Sequence, residues 1–207
     1  MFKTPWAETF PGLLREKGYH VGHVGKWHNG PFPKERYDFG RSYAGVHWIN
    51  KKGAEPVHVT QANESDALEF LQKRPPEKPF CLTVAFFASH AEDGNPKQYL
   101  PQPGSMGLYE KEKIPVPALA TDEALKNLPP FLQTPENEGR KRWAWRFDAP
   151  DKYQTMMKNY YRLCTEVDSA CGKSLPHIMV STPMKSRSSS MTEIATSEPM
   201  SFTLSPE

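Results

Sequence analysis

A lysine and two histidines follow the two most apolar short runs of the chain. Lys26 and His28 follow "YHVGHV", and His90 comes three residues beyond the end of "FCLTVAFF". A lysine supplies a fixed positive charge, and each imidazole can donate a hydrogen bond or transfer a proton. Brought together, these side chains would suit a small tetrahedral anion. The alternative is that they are ordinary surface residues.

The elements around these residues predict how they are positioned. Tyr19–Val24 and Phe80–Phe87 are predicted to be strands, and the second is apolar enough to be covered on both faces of a parallel sheet. Glu8–Lys17 and Ala62–Gln72 have the apolar spacing of helices. Helix and strand repeated in this order predict an α/β fold. Ligands of open α/β sheets bind beyond the carboxyl ends of the strands, so both polar groups are expected at one edge.

Helical periodicity also predicts which faces are buried. In the first helix, Phe10, Leu13 and Leu14 are expected to point inward. A third helix is expected to begin at Asp151 and to stop at Gly172. Its core stripe recurs at three- and four-residue steps: Tyr153, Met156, Met157, Tyr160, Cys164, Val167 and Cys171.

Two common sites do not fit the segment around Lys26. A P-loop would need glycine at position 20 and serine or threonine after the lysine, but His20 and Trp27 stand there. A zinc site built from His20, His23 and His28 is also disfavoured. Residues three apart on a strand point to opposite faces, and no cysteine or carboxylate accompanies them.

Composition excludes few functions. The 26 Lys+Arg nearly balance the 24 Asp+Glu, so nothing demands a nucleic-acid partner or an anionic membrane. No apolar run approaches the roughly 18 residues of a membrane span. The three cysteines, Cys81, Cys164 and Cys171, form no CxxC pair and are expected to be buried thiols.

Two segments are expected to lack a regular core. Residues 88–150 are predicted to be a long irregular loop, rich in Pro, Gly and Asn. Within it, "GRKRWAWRF" interleaves basic and aromatic residues. It could line a polar binding cleft, contact nucleic acid, or simply pack with a solvated face. Residues 174–207 are low in complexity and are expected to be disordered, as after a change of reading frame.

Three segments in order resemble the sulfatase family. "GYHVGHVGKWHNG" resembles its Gly-Lys-Trp-His motif, and "PFCLTVAFFASH" resembles a core strand that ends in a substrate-facing histidine. "YYRLCTEVDSACGK" resembles a helix that precedes the carboxyl-terminal half of the catalytic domain. The resemblance implies a partial catalytic domain over residues 1–173, with the sandwich fold of the alkaline-phosphatase-like superfamily around a mainly parallel sheet.

The resemblance also implies roles for the three polar residues. Lys26 would contact the sulfate and the hydrate of a formylglycine aldehyde, and His28 would hydrogen-bond that hydrate. His90 would contact the sulfate and assist the leaving alcohol. The implied substrate is a sulfated small molecule or carbohydrate. The implied cofactor is calcium, beside a nucleophile made from Cys or Ser in a Cys/Ser-x-Pro/Ala-x-Arg motif.

The chain departs from the family pattern at both ends. None of its cysteines lies in the nucleophile motif, and only 21 residues precede Gly22. No Asp-Asn-Gly segment follows the Tyr-Tyr helix, so no metal ligand is assigned in this chain. We therefore expect a truncated sulfatase with negligible turnover, and an aggregation-prone or partly folded product, since strands missing from a sheet leave its edges open.

Two other functions remain open at this stage. A phosphodiester or phosphonate hydrolase of the same superfamily would keep the fold and change the leaving group. A non-catalytic protein would use the same lysine and histidines to bind an anion without catalysing a reaction. The compartment is also open: family members are often exported, and no signal peptide precedes the first helix.

Overall fold

The structure is a computed structural model, and it describes residues 4–50 and 53–180. Its α-helices are α1 (Phe10–Glu16), α2 (Val59–Lys73), α3 (Asp122–Lys126), α4 (Pro130–Gln133), α5 (Glu138–Arg146) and α6 (Pro150–Val180). Its strands are β1 (His20–Lys26), β2 (Phe39–Tyr43), β3 (Trp48–Ile49), β4 (Val57–His58) and β5 (Phe80–Ala85). Short 3₁₀ turns lie at Trp6–Glu8, Lys34–Arg36 and Pro103–Ser105.

The main sheet is parallel, with the order β2-β1-β5. Gly22 of β1 pairs with Phe39 on one side and with Leu82 on the other. The predicted α/β class with a parallel sheet is confirmed. Strands β3 and β4 form a separate antiparallel pair. Because all three strands of the main sheet run the same way, their carboxyl ends lie at one edge.

Helix α2 covers one face of β1. Phe70 of this helix is buried, and its ring lies where a side chain at Gly22 would have to be: a Cβ there would be 2.6 Å from the ring. His20, on the same face, stacks on Phe70 with ring centroids 5.2 Å apart. The contact between sheet and helix therefore depends on a residue without a side chain.

An aromatic cluster covers the opposite face of β1. The His23 ring lies 5.2 Å from Trp27, 5.4 Å from Phe32 and 5.6 Å from Tyr37, measured between ring centroids. His20 and His23 therefore point to opposite faces, as strand alternation predicts. Burial lowers the pKa of His23, so this ring is neutral at pH 7 and packs as an aromatic side chain.

Helix α6 packs on α2 and holds a second core. Met156 and Leu163 are buried here, and Tyr160 and Val167 pack against them. Three members of the predicted stripe, Met156, Tyr160 and Val167, therefore face this core, whereas Leu163 was not predicted. Glu166 is also buried, and its carboxylate accepts a hydrogen bond from the backbone N–H of Gln102 at 2.7 Å. This bond ties the loop after β5 to the helix.

Three predicted boundaries are wrong. Helix α6 continues through Gly172 to Val180, because a single exposed glycine costs a helix only about 1 kcal/mol and does not end it. Residues 174–180 of the expected disordered tail are therefore helical, and the rest of that tail lies outside the described residues. The segment 88–150 is not wholly irregular: it includes α5, whose first turn is capped by Asn137 accepting from the N–H of Gly139 at 2.9 Å.

Three burial predictions also fail. The cysteines expected to be buried, Cys81, Cys164 and Cys171, are only half-buried. Phe10 and Leu13 of α1 are exposed, whereas Pro11 and Gly12 are buried against the chain around Trp6. Strand β5 is half-buried along its whole length, since in the described sheet it pairs only with β1 and lies at an edge. Among the described residues, no helix combines the length and hydropathy needed to cross a membrane.

Candidate functional site

The loops that carry the predicted polar residues leave the sheet at the same edge. Lys26 is the last residue of β1, and the chain reaches His90 five residues after β5 ends. The two strands are parallel neighbours in register, with Gly25 opposite Ala85. The expected convergence of the two loops therefore follows directly from the strand pairing.

Phe87 is the side chain that Lys26 and His90 share. The Nζ atom of Lys26 lies 5.2 Å from the centroid of the Phe87 ring. The His90 ring lies 5.4 Å from the same ring, measured between centroids. Phe87 itself is buried, so its ring is a rigid surface against which both a cation and an imidazole lie. His28 is exposed, two residues beyond β1, and no described contact joins it to this pair.

The hydrogen bond of His90 determines which ring nitrogen is available. Nδ1 lies 2.6 Å from the carbonyl oxygen of Ala91, and a carbonyl can only accept, so Nδ1 carries the proton. In the neutral ring, Nε2 is then the nitrogen with a free lone pair. A histidine held in this tautomer can exchange a proton with a bound group through Nε2.

His47 is a residue at this edge that the sequence analysis missed. Its ring is fully buried and lies 4.9 Å from the Phe87 ring, and its backbone N–H donates to the Glu92 carboxylate at 2.8 Å. Burial, and to a lesser extent repulsion from His58, lowers the pKa of His47 to about 4. His47 is therefore neutral at pH 7, and Lys26 supplies positive charge at this edge.

The comparisons with known proteins fit this arrangement. The sequence model of the Sulfatase family matches residues 2–178. The chain belongs to the sulfatase family. It is 28% identical over 127 residues to an N-acetylglucosamine-6-O-sulfatase of Bacteroides thetaiotaomicron, an alignment that covers 56% of the chain and 22% of that protein.

A solved structure gives the fold. The solved structure is that of a protein in complex with its substrate, D-glucosamine-2-N,6-O-disulfate. The present chain matches it with a TM-score of 0.52 and 20% sequence identity. The match covers 83% of the chain and 46% of that protein. It supports the alkaline-phosphatase-like arrangement around a parallel sheet. The chain spans less than half the length of either relative.

The calcium and nucleophile that the family implies do not fit the residues present. In residues 4–50 and 53–180, no group of three or more His, Cys, Asp or Glu side chains is arranged to hold a metal ion. Cys81 pairs with Val21 at the opposite end of the strands from Lys26, and Cys164 and Cys171 lie on α6. We therefore derive no chemical step that uses a metal ion or a formylglycine held by these residues.

A cavity elsewhere is poorly suited to an anion. It has a volume of about 670 Å³ and lies between β2 and α2, without Lys26, His28 or His90 in its lining. Its lining holds two cations, Lys34 and Arg41, and the carboxylate of Asp66. Arg41 is already paired with Asp66 and with Glu69, the latter at 2.7 Å, so the Asp66 carboxylate and the paired Arg41 reduce the attraction of this cavity for a sulfate.

Proposed function

We propose that this chain is part of a sulfatase catalytic domain that holds the sulfate group of a sulfated carbohydrate at the Phe87 edge. The observation that carries the proposal is the shared contact of Lys26 and His90 with one buried aromatic ring. A cation and an imidazole that both lie against the rigid Phe87 ring can contact two oxygens of the same tetrahedral anion.

The two side chains would do different work on a bound sulfate ester. Lys26 would offset the negative charge of the sulfate oxygens. When protonated, Nε2 of His90 would give its proton to the departing alcohol oxygen as the sulfur–oxygen bond breaks. His28, following the family resemblance, would contact the hydrated aldehyde of a nucleophile that lies outside these 207 residues.

The names of the relatives support a sulfated sugar as the substrate. One relative is an N-acetylglucosamine-6-O-sulfatase, and the other was solved with a glucosamine disulfate as its substrate. Both names describe a sulfate on a glucosamine ring. We infer a substrate of the same broad class, a sulfated carbohydrate, for the protein to which this chain belongs.

The 207 residues by themselves are expected to release no sulfate, because none of their cysteines lies in a nucleophile motif and the described residues hold no metal site. The measurement is sulfate release from a chromogenic aryl sulfate by the purified chain. Turnover above buffer that disappears in a Lys26→Ala variant would show that this expectation is wrong.

Binding without turnover should still be detectable. Lys26→Ala is expected to weaken binding of glucosamine-6-sulfate roughly tenfold or more, because it removes a charge-assisted contact. Isothermal titration calorimetry at low salt measures the affinity. Lys113→Ala, which removes an exposed lysine far along the chain, is the matched control and should leave it unchanged. Equal affinities of the two variants would contradict the proposal.

A further inference from the structure

Helix α5 carries a pocket that the Phe87 edge does not use. Its volume is about 360 Å³, near the lower end of the roughly 300–1,000 Å³ typical of small-ligand sites. We call it the α5 slot and define it by its lining residues, Gln133, Pro135, Arg140, Lys141, Trp143, Ala144 and Trp145. They belong to α5, to the end of α4 and to the segment between these helices.

The helix is anchored by the face opposite the slot. Arg142 and Arg146 pair with the Asp93 carboxylate at 3.0 and 2.6 Å, and Arg146 also donates through Nε to Gln98 at 2.7 Å. Asp93 lies three residues after His90, so the loop that carries His90 also holds α5. Arg142 also pairs with Glu138 at 3.2 Å, and together these contacts fix which side of the helix faces outward.

The outward side combines aromatic surface with charge. Trp143 and Trp145 both line the slot, with the small Ala144 between them in the sequence. The two indoles are 37% and 41% exposed, a large apolar area to leave uncovered. The Arg140 guanidinium lies over the Trp143 ring, with 4.5 Å from Cζ to the ring centroid.

Lys141 adds a second cation to the slot. Its ammonium group lies 4.0 Å from the Glu138 carboxylate, at the limit of an ion pair, and its side chain is about half exposed. Exposed pairs of this kind contribute little to stability, so the ammonium can exchange its partner for a ligand. The lining of the slot thus combines two indole side chains with two cations.

We propose that the α5 slot binds a sugar ring of a sulfated carbohydrate chain. One face of a pyranose presents carbon-bound hydrogens, which pack on an indole ring, while its sulfate groups protrude at the rim toward Arg140 and Lys141. The slot is a short concave site with two available cations. Nucleic acid is favoured instead by a long basic groove with repeated aromatic platforms, and the chain's net charge is only +2.

This inference rests on the proposed substrate class but not on Lys26. The slot would hold a second ring of the chain whose sulfate is presented to the Phe87 edge, or a separate stretch of the same polymer. Loss of slot binding would therefore leave the binding of a sulfated monosaccharide at Lys26 intact. The two sites can be tested separately in the same protein.

The test is calorimetric titration of the full 207-residue chain with a heparin tetrasaccharide, and with neutral chitotetraose for comparison. The double variant Trp143→Ala/Trp145→Ala should lower the affinity for the tetrasaccharide at least about tenfold. Arg140→Ala/Lys141→Ala should do the same and remove the preference over chitotetraose. Circular dichroism should show that both variants keep the helical content of the unchanged chain.

Two matched controls sharpen the result. Lys111→Ala/Lys113→Ala removes the same charge from an exposed loop, and Leu119→Ala removes a side chain that is 83% exposed. Both should bind the tetrasaccharide within about twofold of the unchanged chain, as expected for exposed residues away from the site. An equal loss of affinity in the Lys111/Lys113 variant would mean non-specific charge attraction and would overturn the inference.

Three further outcomes would also overturn it. The first is that the unchanged chain does not bind the tetrasaccharide. The second is tighter binding of oligo-dT than of the tetrasaccharide through the same slot residues, which would assign the slot to nucleic acid. The third is a change in sedimentation of the ligand-free chain on losing the indoles, which would assign the slot to a second copy. If Lys26→Ala leaves glucosamine-6-sulfate binding unchanged while the slot variants still lose the tetrasaccharide, the proposed function fails and this inference stands.

Discussion

Gly25→Ala is expected to destabilise the chain by on the order of 3–5 kcal/mol, at the upper end of single substitutions. Gly25 has a φ of +108°, a conformation that L side chains rarely adopt. A Cβ at this position would lie 2.1 Å from the carbonyl oxygen of Ala85, a backbone atom that cannot rotate away. Either β1 and β5 separate here or the residue changes conformation, and both displace the neighbouring Lys26.

Two glycine controls separate the causes. Gly18 also has a positive φ, +85°, but a Cβ there would meet nothing within 4 Å, so Gly18→Ala isolates the backbone strain of about 1–2 kcal/mol. Gly107 has open space and no positive φ, and Gly107→Ala should change stability by less than about 0.5 kcal/mol. The midpoint of urea unfolding, with protease resistance beside it, orders the three variants.

The contrary result would be informative about the sheet. If Gly25→Ala were no less stable than Gly18→Ala, the close approach of β1 and β5 at Ala85 would be wrong, and with it the placement of Lys26. A cooperative unfolding transition of the unchanged chain would itself contradict the expectation that the product is only partly folded.

The sequence predicted β1 and β5 because apolar side chains dominate both, but it did not predict β2. The segment "FGRSY" has no apolar run, and Arg41 and Ser42 in it are exposed. What makes it a strand is its pairing with β1, from Gly22 opposite Phe39 to Lys26 opposite Tyr43, which is a tertiary interaction. Local propensity cannot report a pairing of this kind.

The failure to predict β2 also explains why His47 was not predicted as a residue of the candidate site. Lys26 and His90 each follow a strand that could be predicted, so the rule for the carboxyl ends of parallel strands placed them at one edge. His47 follows β2 at the same edge and would have been found by the same rule had β2 been predicted. Phe87 was predicted only as part of a buried apolar strand, because an apolar residue in a sequence does not indicate which polar side chains will contact it.

The misjudged α1 face has a related cause. Helical spacing grouped Phe10 with the leucines, but the buried contact is made by Pro11 and Gly12. A Cβ at Gly12 would lie 2.1 Å from the Trp6 carbonyl oxygen, so here the close approach of two backbones determines which face is buried. Hydrophobic periodicity registers side chains and not backbone contacts.

Acidification from pH 6.5 to pH 4 is expected to remove roughly 3 kcal/mol of stability through His47 alone. Burial of the ring, and then repulsion from His58, lowers its pKa from 6.5 to about 4 in the folded protein. Between these values the unfolded chain binds a proton that the folded chain does not. Stability is therefore highest above pH 6.5, falls as pH falls, and stops falling through this group below about pH 4.

The surroundings of His47 determine how steep this loss is. Glu92 opposes the shift by favouring the charged ring, but burial outweighs it. The His58 ring stacks on His47 with centroids 5.9 Å apart, and its own pKa is lowered by burial, although Glu166 pulls the other way. Protonating either ring therefore makes protonation of the other less favourable, so both histidines contribute to the acid sensitivity.

A His47→Phe variant tests this account, because phenylalanine keeps an aromatic ring against Phe87 and His58 but cannot take up a proton. The free energy of unfolding is measured by urea denaturation at intervals from pH 7.5 to pH 4. Its slope against pH should be shallower in the variant, with the remainder due to the other histidines whose pKa burial lowers, His58 among them. Parallel curves for the two proteins would show that His47 is protonated equally in the folded and unfolded states, and that its burial beside the Phe87 edge does not set the acid limit of the fold.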